Sequence, residues 1–251
     1  MKISEIITKL EQFAPCELAE EWDNVGLMVG NAGAECTGVI SVLDLTLDAI
    51  KQAVKKDCNL IVTHHPFIFG GLKNIDLSTA KGRAIELLIK NNICVYSMHT
   101  NLDKCAGGIN EVLAQKLCGS GTPQHVGAGV VVSIKQTTLS EYAKLISEVL
   151  GDKSIKVVGS SQKKIKTVFI VSGSGGSEYE LAKKSADVLV TGDLKHHHYI
   201  DAAEDGFALI EYSHFASEII MQDILTAQLS PMRVRVSGVR QNSPFRLLEE
   251  L

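Results

Sequence analysis

A chain that runs strand, helix, strand within one short stretch has few folds open to it. "GVISVLDLTLDAIKQAVKKDCNLIVTHH" (38–65) begins with an apolar, β-branched run, takes helical spacing at 47–57 and returns to a strand at "CNLIVTHH" (58–65). Such a β-α-β unit predicts a parallel strand pair joined by a right-handed crossover. The same order and length recur in "KTVFIVSGSGGSEYELAKKSADVLVTGD" (166–193). Each copy ends its second strand on a threonine, Thr63 before His64 and Thr191 before Gly192-Asp193. Two copies mark a weak internal repeat, not a solenoid.

The remaining segments extend the alternation. Ile3, Ile6, Ile7, Leu10 and Phe13 form a helical stripe that Pro15 closes. A helix is predicted at about 79–91, a strand at "NICVYSMHT" (92–100) and a helix opening near Gly107. After "CGSGTPQHVGAG" (118–129) the pattern restarts, and it ends with "FALIEYS", one long helix from about His214, and the strand "MRVRVSG". The fold class is α/β, with two α/β lobes related by the weak repeat. The lobes are expected at 1–123 and 124–251, with the C-terminal tail able to pack back on the first.

Composition narrows the function. Of 251 residues, 45% are hydrophobic and 22% charged, enough to bury a substantial core. The formal charge of −4, from 25 basic and 29 acidic residues, disfavours nucleic acid and anionic membranes as partners. No run of ~18 apolar residues predicts a membrane span, and Glu5 and Glu11 interrupt any secretion-signal core. Six cysteines without a CxxC pair read as reduced thiols of a cytoplasmic protein, which argues against a thiolate zinc site.

Metal-type side chains collect after four predicted strands. These are His64-His65; His99 and Asp103 in "HTNLD"; Asp193, His196, His197 and His198 in "TGDLKHHH"; and His214 and Glu218 in "HFASE". Ligands of open α/β sheets sit beyond the carboxyl ends of the strands, so the shared address is the warrant. Each group alone has a plainer explanation. The histidine doublet could be solvated or capping, and Asp103 could cap the following helix. His214 could line a core and Glu218 answer the helix dipole. The triple histidine could be a surface face, since all three cannot point one way. Together, the plain account needs four coincidences.

Imidazole nitrogen with carboxylate oxygen suits zinc, iron or manganese better than calcium. His64, His65, Asp103, His214 and Glu218 are more ligands than one catalytic ion with an open position takes, so two divalent ions sharing a carboxylate fit better. His99, Asp193 and His197 are then orienting or proton-transfer groups. Two further motifs stand apart. "WDNVGL" holds the only tryptophan, Trp22, and reads as a turn packing one aromatic in preference to a substrate contact. "SGSGG" (172–176) could offer backbone N–H groups to phosphate with Lys195 nearby, or be an ordinary tight turn.

The segments "EEWDNVGLMVG" (20–30), "VTHHPFIF" (62–69), "HTNLDKCAGGIN" (99–110), "VLVTGDLKHHH" (188–198) and "SHFASE" (213–218) jointly resemble the NIF-three-like family, also called GTP cyclohydrolase 1 type 2. The likeness is to the short form without a central inserted domain. It implies two α/β lobes with a dinuclear metal centre in the cleft between them, and a ring-shaped homohexamer. His64, His65, Asp103, His214 and Glu218 are the implied ligands. The implied activity is a hydrolase of a small-molecule substrate, possibly GTP, in which water attacks guanine C8, the imidazole ring opens and formate leaves. The alternative is a metal-delivery protein for iron or zinc without turnover.

Overall fold

The computed structural model describes residues 1–239 and 241–248. In chain order the elements begin with α1 (Ile3–Phe13), β1 (Gly26–Val29), β2 (Val39–Val42), α2 (Leu47–Lys55), β3 (Leu60–Thr63), α3 (Ala80–Lys90), β4 (Cys94–Ser97) and α4 (Thr100–Lys104). There follow α5 (Ile109–Cys118), β5 (Gln124–Val126), β6 (Gly129–Thr138), α6 (Leu139–Leu150), β7 (Lys156–Val158) and β8 (Lys164–Ser174). The last are α7 (Tyr179–Ser185), β9 (Val188–Gly192), α8 (His196–Asp205), β10 (Ala208–Glu211), α9 (His214–Glu218), α10 (Met221–Leu229) and β11 (Val236–Gly238).

The chain divides into two compact units. One is Met1–Ala106 with Met221–Asn242; the other is Gly107–Ile220 with the segment from Ser243 onward. The expected boundary at 123/124 therefore moves to 106/107, because α5 packs on β6 and β8. The single long helix expected from His214 is also two. α9 ends at Glu218, and α10 starts at Met221 in the other unit. Periodicity could not show this break, since apolar residues continue through Ile219, Ile220 and Met221.

The first unit holds a five-stranded sheet in the order β1-β4-β3-β2-β11. β2, β3 and β4 are parallel, as the β-α-β reading required, and β1 runs antiparallel along β4. All four residues of β2, β3 and β4 are buried, which is why these strands read as unbroken apolar runs. Ile40, Val42, Ile50, Ile61, Leu88 and Val95 form the core. Thr46 caps α2 by accepting the Ala49 N–H at 3.1 Å, which fixes where the crossover helix begins. β1 was not foreseen, for its first two residues, Gly26 and Leu27, fall in the segment read as a turn.

The second unit holds a six-stranded sheet, β5-β6-β8-β9-β10-β7. β8, β9 and β10 are parallel and β7 is antiparallel on β10. Phe169, Leu189, Leu209 and Ala182 are central to its core. The internal repeat thus extends beyond one β-α-β. Each unit has three consecutive parallel strands, β2-β3-β4 or β8-β9-β10, with an earlier strand added antiparallel to the third. Among the described residues no helix is long and apolar enough to cross a membrane.

Candidate functional site

In the first unit β3 ends where His64 and His65 begin, but their backbone stays tied to the sheet. The His64 N–H donates to Val42 O (3.2 Å) and the His65 N–H to Leu43 O (3.1 Å). The Thr63 hydroxyl donates to His65 O at 2.9 Å and meets the Ser97 hydroxyl at 2.7 Å, clamping the turn. Thr63 therefore holds the doublet in place.

His64 is fully buried, and its Nδ1 lies 2.8 Å from Met98 O. A carbonyl only accepts, so Nδ1 carries the proton and Nε2 is the atom able to ligate; it stands 3.8 Å from Asp103 Oδ1. His65 donates from Nδ1 to Asp44 Oδ1 at 2.8 Å. His99, just before α4, donates from Nδ1 to Asp23 Oδ1 at 2.9 Å. The three ring centroids are 5.0 to 5.6 Å apart. One nitrogen from each lies within 4.8 Å of the others, so His64, His65 and His99 could hold a metal ion. Asp103 sits on α4 and does not cap α5, whose cap is Gly108.

Asp23 also accepts from Thr100 N (3.1 Å) and Thr100 Oγ1 (2.5 Å). Burial by itself would raise its carboxyl, but the bonds from His99 and Thr100 outweigh that and hold it well below the usual carboxylate range.

In the second unit His214 opens α9 with Ser213 as cap, and Glu218 follows one turn later on the same face. His214 Nδ1 donates to Asp193 Oδ2 at 2.6 Å, and Nε2 lies 2.8 Å from Glu218 Oε2. Burial alone would depress this imidazole; Glu218 and Asp193 overcome it and push the pKa up to about 9. A cation arriving at His214 has to displace a proton. Gly173 closes this corner in the left-handed region at φ +62, where an added Cβ would lie 2.0 Å from Glu218 Oε1. Its N–H donates to Ser217 Oγ at 3.0 Å, and Ser217 donates to His214 O at 2.7 Å.

The histidine–acid pairs follow equivalent strands. His99 and Asp103 come after β4; His214 and Glu218 come after β10, with the same four-residue spacing. His197 is placed differently. It is exposed on α8 with its ring 4.2 Å from that of His198, and no hydrogen bond among the described residues joins it to Asp193, His214 or Glu218. The "SGSGG" N–H groups of Ser172, Gly173 and Gly175 donate to Asn110, Ser217 and Thr191, which leaves these three unavailable to a phosphate. Trp22 does lie in a turn, but its ring is 61% exposed instead of packed there. Sequence reading missed Asp44 and Asp23 as partners of His65 and His99. Asp44 lies just past the end of β2, where the strand-end rule would have found it.

Four imidazoles are each fixed through Nδ1, by a carbonyl or a carboxylate, so that Nε2 is the nitrogen each can present. Anchoring of this kind orients metal-binding histidines and raises their basicity. The nitrogen and oxygen donors fit zinc, iron or manganese, and among the described residues no cysteine joins a candidate metal group. All six cysteines are free thiols. The chain is an α/β protein with residues able to bind a metal beyond the ends of parallel strands.

It belongs to the Duf34/NIF3 (NGG1p interacting factor 3) family, whose model matches residues 1–243. A protein of Clostridium perfringens named GTP cyclohydrolase 1 type 2 homolog is 39% identical over 228 residues, 87% of each chain. One of the same name from Clostridium acetobutylicum is 35% identical over 249 residues, 93% of each. The crystal structure of a Staphylococcus aureus hypothetical protein, SA1388, superposes with a TM-score of 0.87 at 30% identity, covering 99% of both chains.

Proposed function

We propose that the chain is a dinuclear metal-dependent hydrolase of a purine nucleotide, of the GTP cyclohydrolase type, acting in the cytoplasm as a ring-shaped homohexamer. The observation that carries this reading is the anchoring of four imidazoles through Nδ1, three of them by carboxylates. His64, His65, Asp103, His214 and Glu218 would hold two divalent ions, which supply a water activated at neutral pH and a Lewis acid. Met98 O, Asp44 and Asp193 keep the three ligand histidines in one tautomer and orientation. His99, backed by Asp23, is the group that moves a proton during ring opening, and His197 is assigned no step. The substrate follows from the names of the relatives, since none of these residues reads guanine.

The test is formate release from GTP by protein loaded in turn with zinc, iron(II) or manganese, with metal per chain measured alongside. Two ions per chain and turnover that His65→Ala abolishes are expected, with a particle mass six times the 27.1 kDa chain. Metal uptake without formate from any nucleotide would sink the hydrolase and favour metal delivery.

A further inference from the structure

We propose that Trp22 and Phe69 form a stacking platform for a planar heteroaromatic base beside the imidazole cluster of the first unit. That the base is a purine rests on the hydrolase reading above; the platform rests on the geometry of this unit alone.

The chain's only tryptophan is 61% exposed and Phe69 is 51% exposed. Large rings are ordinarily where a fold gains most by burial, so two of them left together in water need a reason. Looseness is not the reason, since both are fastened from beneath. Asp23, next to Trp22, has a fully buried side chain that accepts from His99, from Thr100 and from the N–H of Asn24 at 2.8 Å. Glu20 donates its N–H to Thr100 Oγ1 at 2.9 Å. Asn24 Nδ2 in turn donates to the carbonyl of Ile68 at 2.5 Å, tying the residue before Phe69 to the tryptophan segment. A hydrogen-bonded frame anchored on α4 thus presents two rings outward, already ordered before a ligand arrives.

The rings lie where such a ligand would be used. Their centroids are 5.9 Å apart at 46°, too close for a third ring to enter between them, so a base stacks on an outer face. His99 is met nearly edge-on by both, at 6.2 Å from Trp22 and 6.4 Å from Phe69. Both rings that would carry the base are themselves in contact with His99, the histidine bonded to Asp23. This gives "WDNVGL" two tasks. Its aspartate orients His99, and its tryptophan supplies a π-face that any base can use without sequence-specific readout.

Because Trp22 is the only tryptophan, fluorescence excited at the red edge, where the five tyrosines do not absorb, reports this site alone. The full chain, stripped of metal, is titrated with guanosine and with ribose 5-phosphate. Saturable quenching by guanosine and none by ribose 5-phosphate is expected. In equilibrium dialysis with labelled guanosine, Trp22→Ala should weaken binding roughly 5- to 150-fold, the range stacking on one aromatic provides. Phe69→Ala should also weaken it, and Trp22→Phe should restore it to within about threefold. Guanosine binding without formate release keeps the platform and removes the hydrolase. Formate release from subsaturating GTP that is unchanged in Trp22→Ala does the reverse. Equal quenching by both probes, no quenching by guanosine, or a signal that follows protein dilution because a second copy covers the rings would each overturn the platform.

Discussion

Replacing Gly173 by alanine tests whether the close approach of β8 to Glu218 shapes the second donor set. The residue sits at φ +62, which costs an L-residue about 1 kcal/mol. The larger effect is steric. The new Cβ would lie 2.0 Å from Glu218 Oε1 and cannot settle closer than 3.0 Å, so the carboxylate must retreat by about 1.0 Å. Glu218 is only 3% exposed and its other oxygen is 2.8 Å from His214 Nε2, so the retreat breaks a charged hydrogen bond within the protein. Losing such a bond costs about 1.5–3 kcal/mol. The sum, about 2.5–4 kcal/mol, lowers the melting temperature by about 5–15 °C for a chain of this size. Gly206→Ala is the control. Its φ is +64 with nothing within 4 Å of the added Cβ, so it carries the backbone cost without the clash. Thermal unfolding and zinc content of both variants are measured together. If Gly173→Ala matches Gly206→Ala in melting temperature and keeps full zinc, Glu218 does not depend on that approach and the reasoning fails.

Removing the carboxylate that orients His65, by Asp44→Ala, should weaken metal binding about 10- to 100-fold with little change in fold, read by competition with a chromogenic chelator. Glu218→Gln should lower bound metal and abolish any hydrolysis while circular dichroism stays unchanged; full occupancy in this variant would argue against a ligand role. Thr138→Ala removes the capping box of α6, in which Thr138 Oγ1 accepts the Glu141 N–H at 3.2 Å, and should cost about 1 kcal/mol in urea unfolding. The same box gives a pH signature. The Thr138 backbone N–H, with the Thr138 and Thr137 hydroxyls, holds Glu141 down to about 2. Its contribution is therefore present above the unfolded value of about 4.3 and disappears as pH falls through about 2. Acid titration of stability should lose part of that slope in Thr138→Ala.

The elements that the sequence disclosed are those written in near neighbours. The stripe from Ile3 to Phe13, the helical spacing of α2 and the buried runs of β2, β3 and β4 depend on spacings of a few residues, which periodicity reads directly. The metal-type residues were legible too, because strand ends can be located from those runs. The pairing of His214 with Glu218 was visible as one turn of helix.

What lay beyond reach depends on strand order, which joins residues far apart in the chain. The groups that take each imidazole's Nδ1 come from 34, 21, 76 and 21 positions away for His64, His65, His99 and His214. Only the register of neighbouring strands brings Asp44 to His65, and only the antiparallel β1 brings the Trp22–Asp23 segment to His99. The return of Met221–Asn242 to the first unit is of the same kind, since β11 pairs with β2 across most of the chain. Residue types and local spacing chose the donors. The tertiary structure chose their anchors, because a hydrogen bond between remote residues has no trace in the spacing of either one.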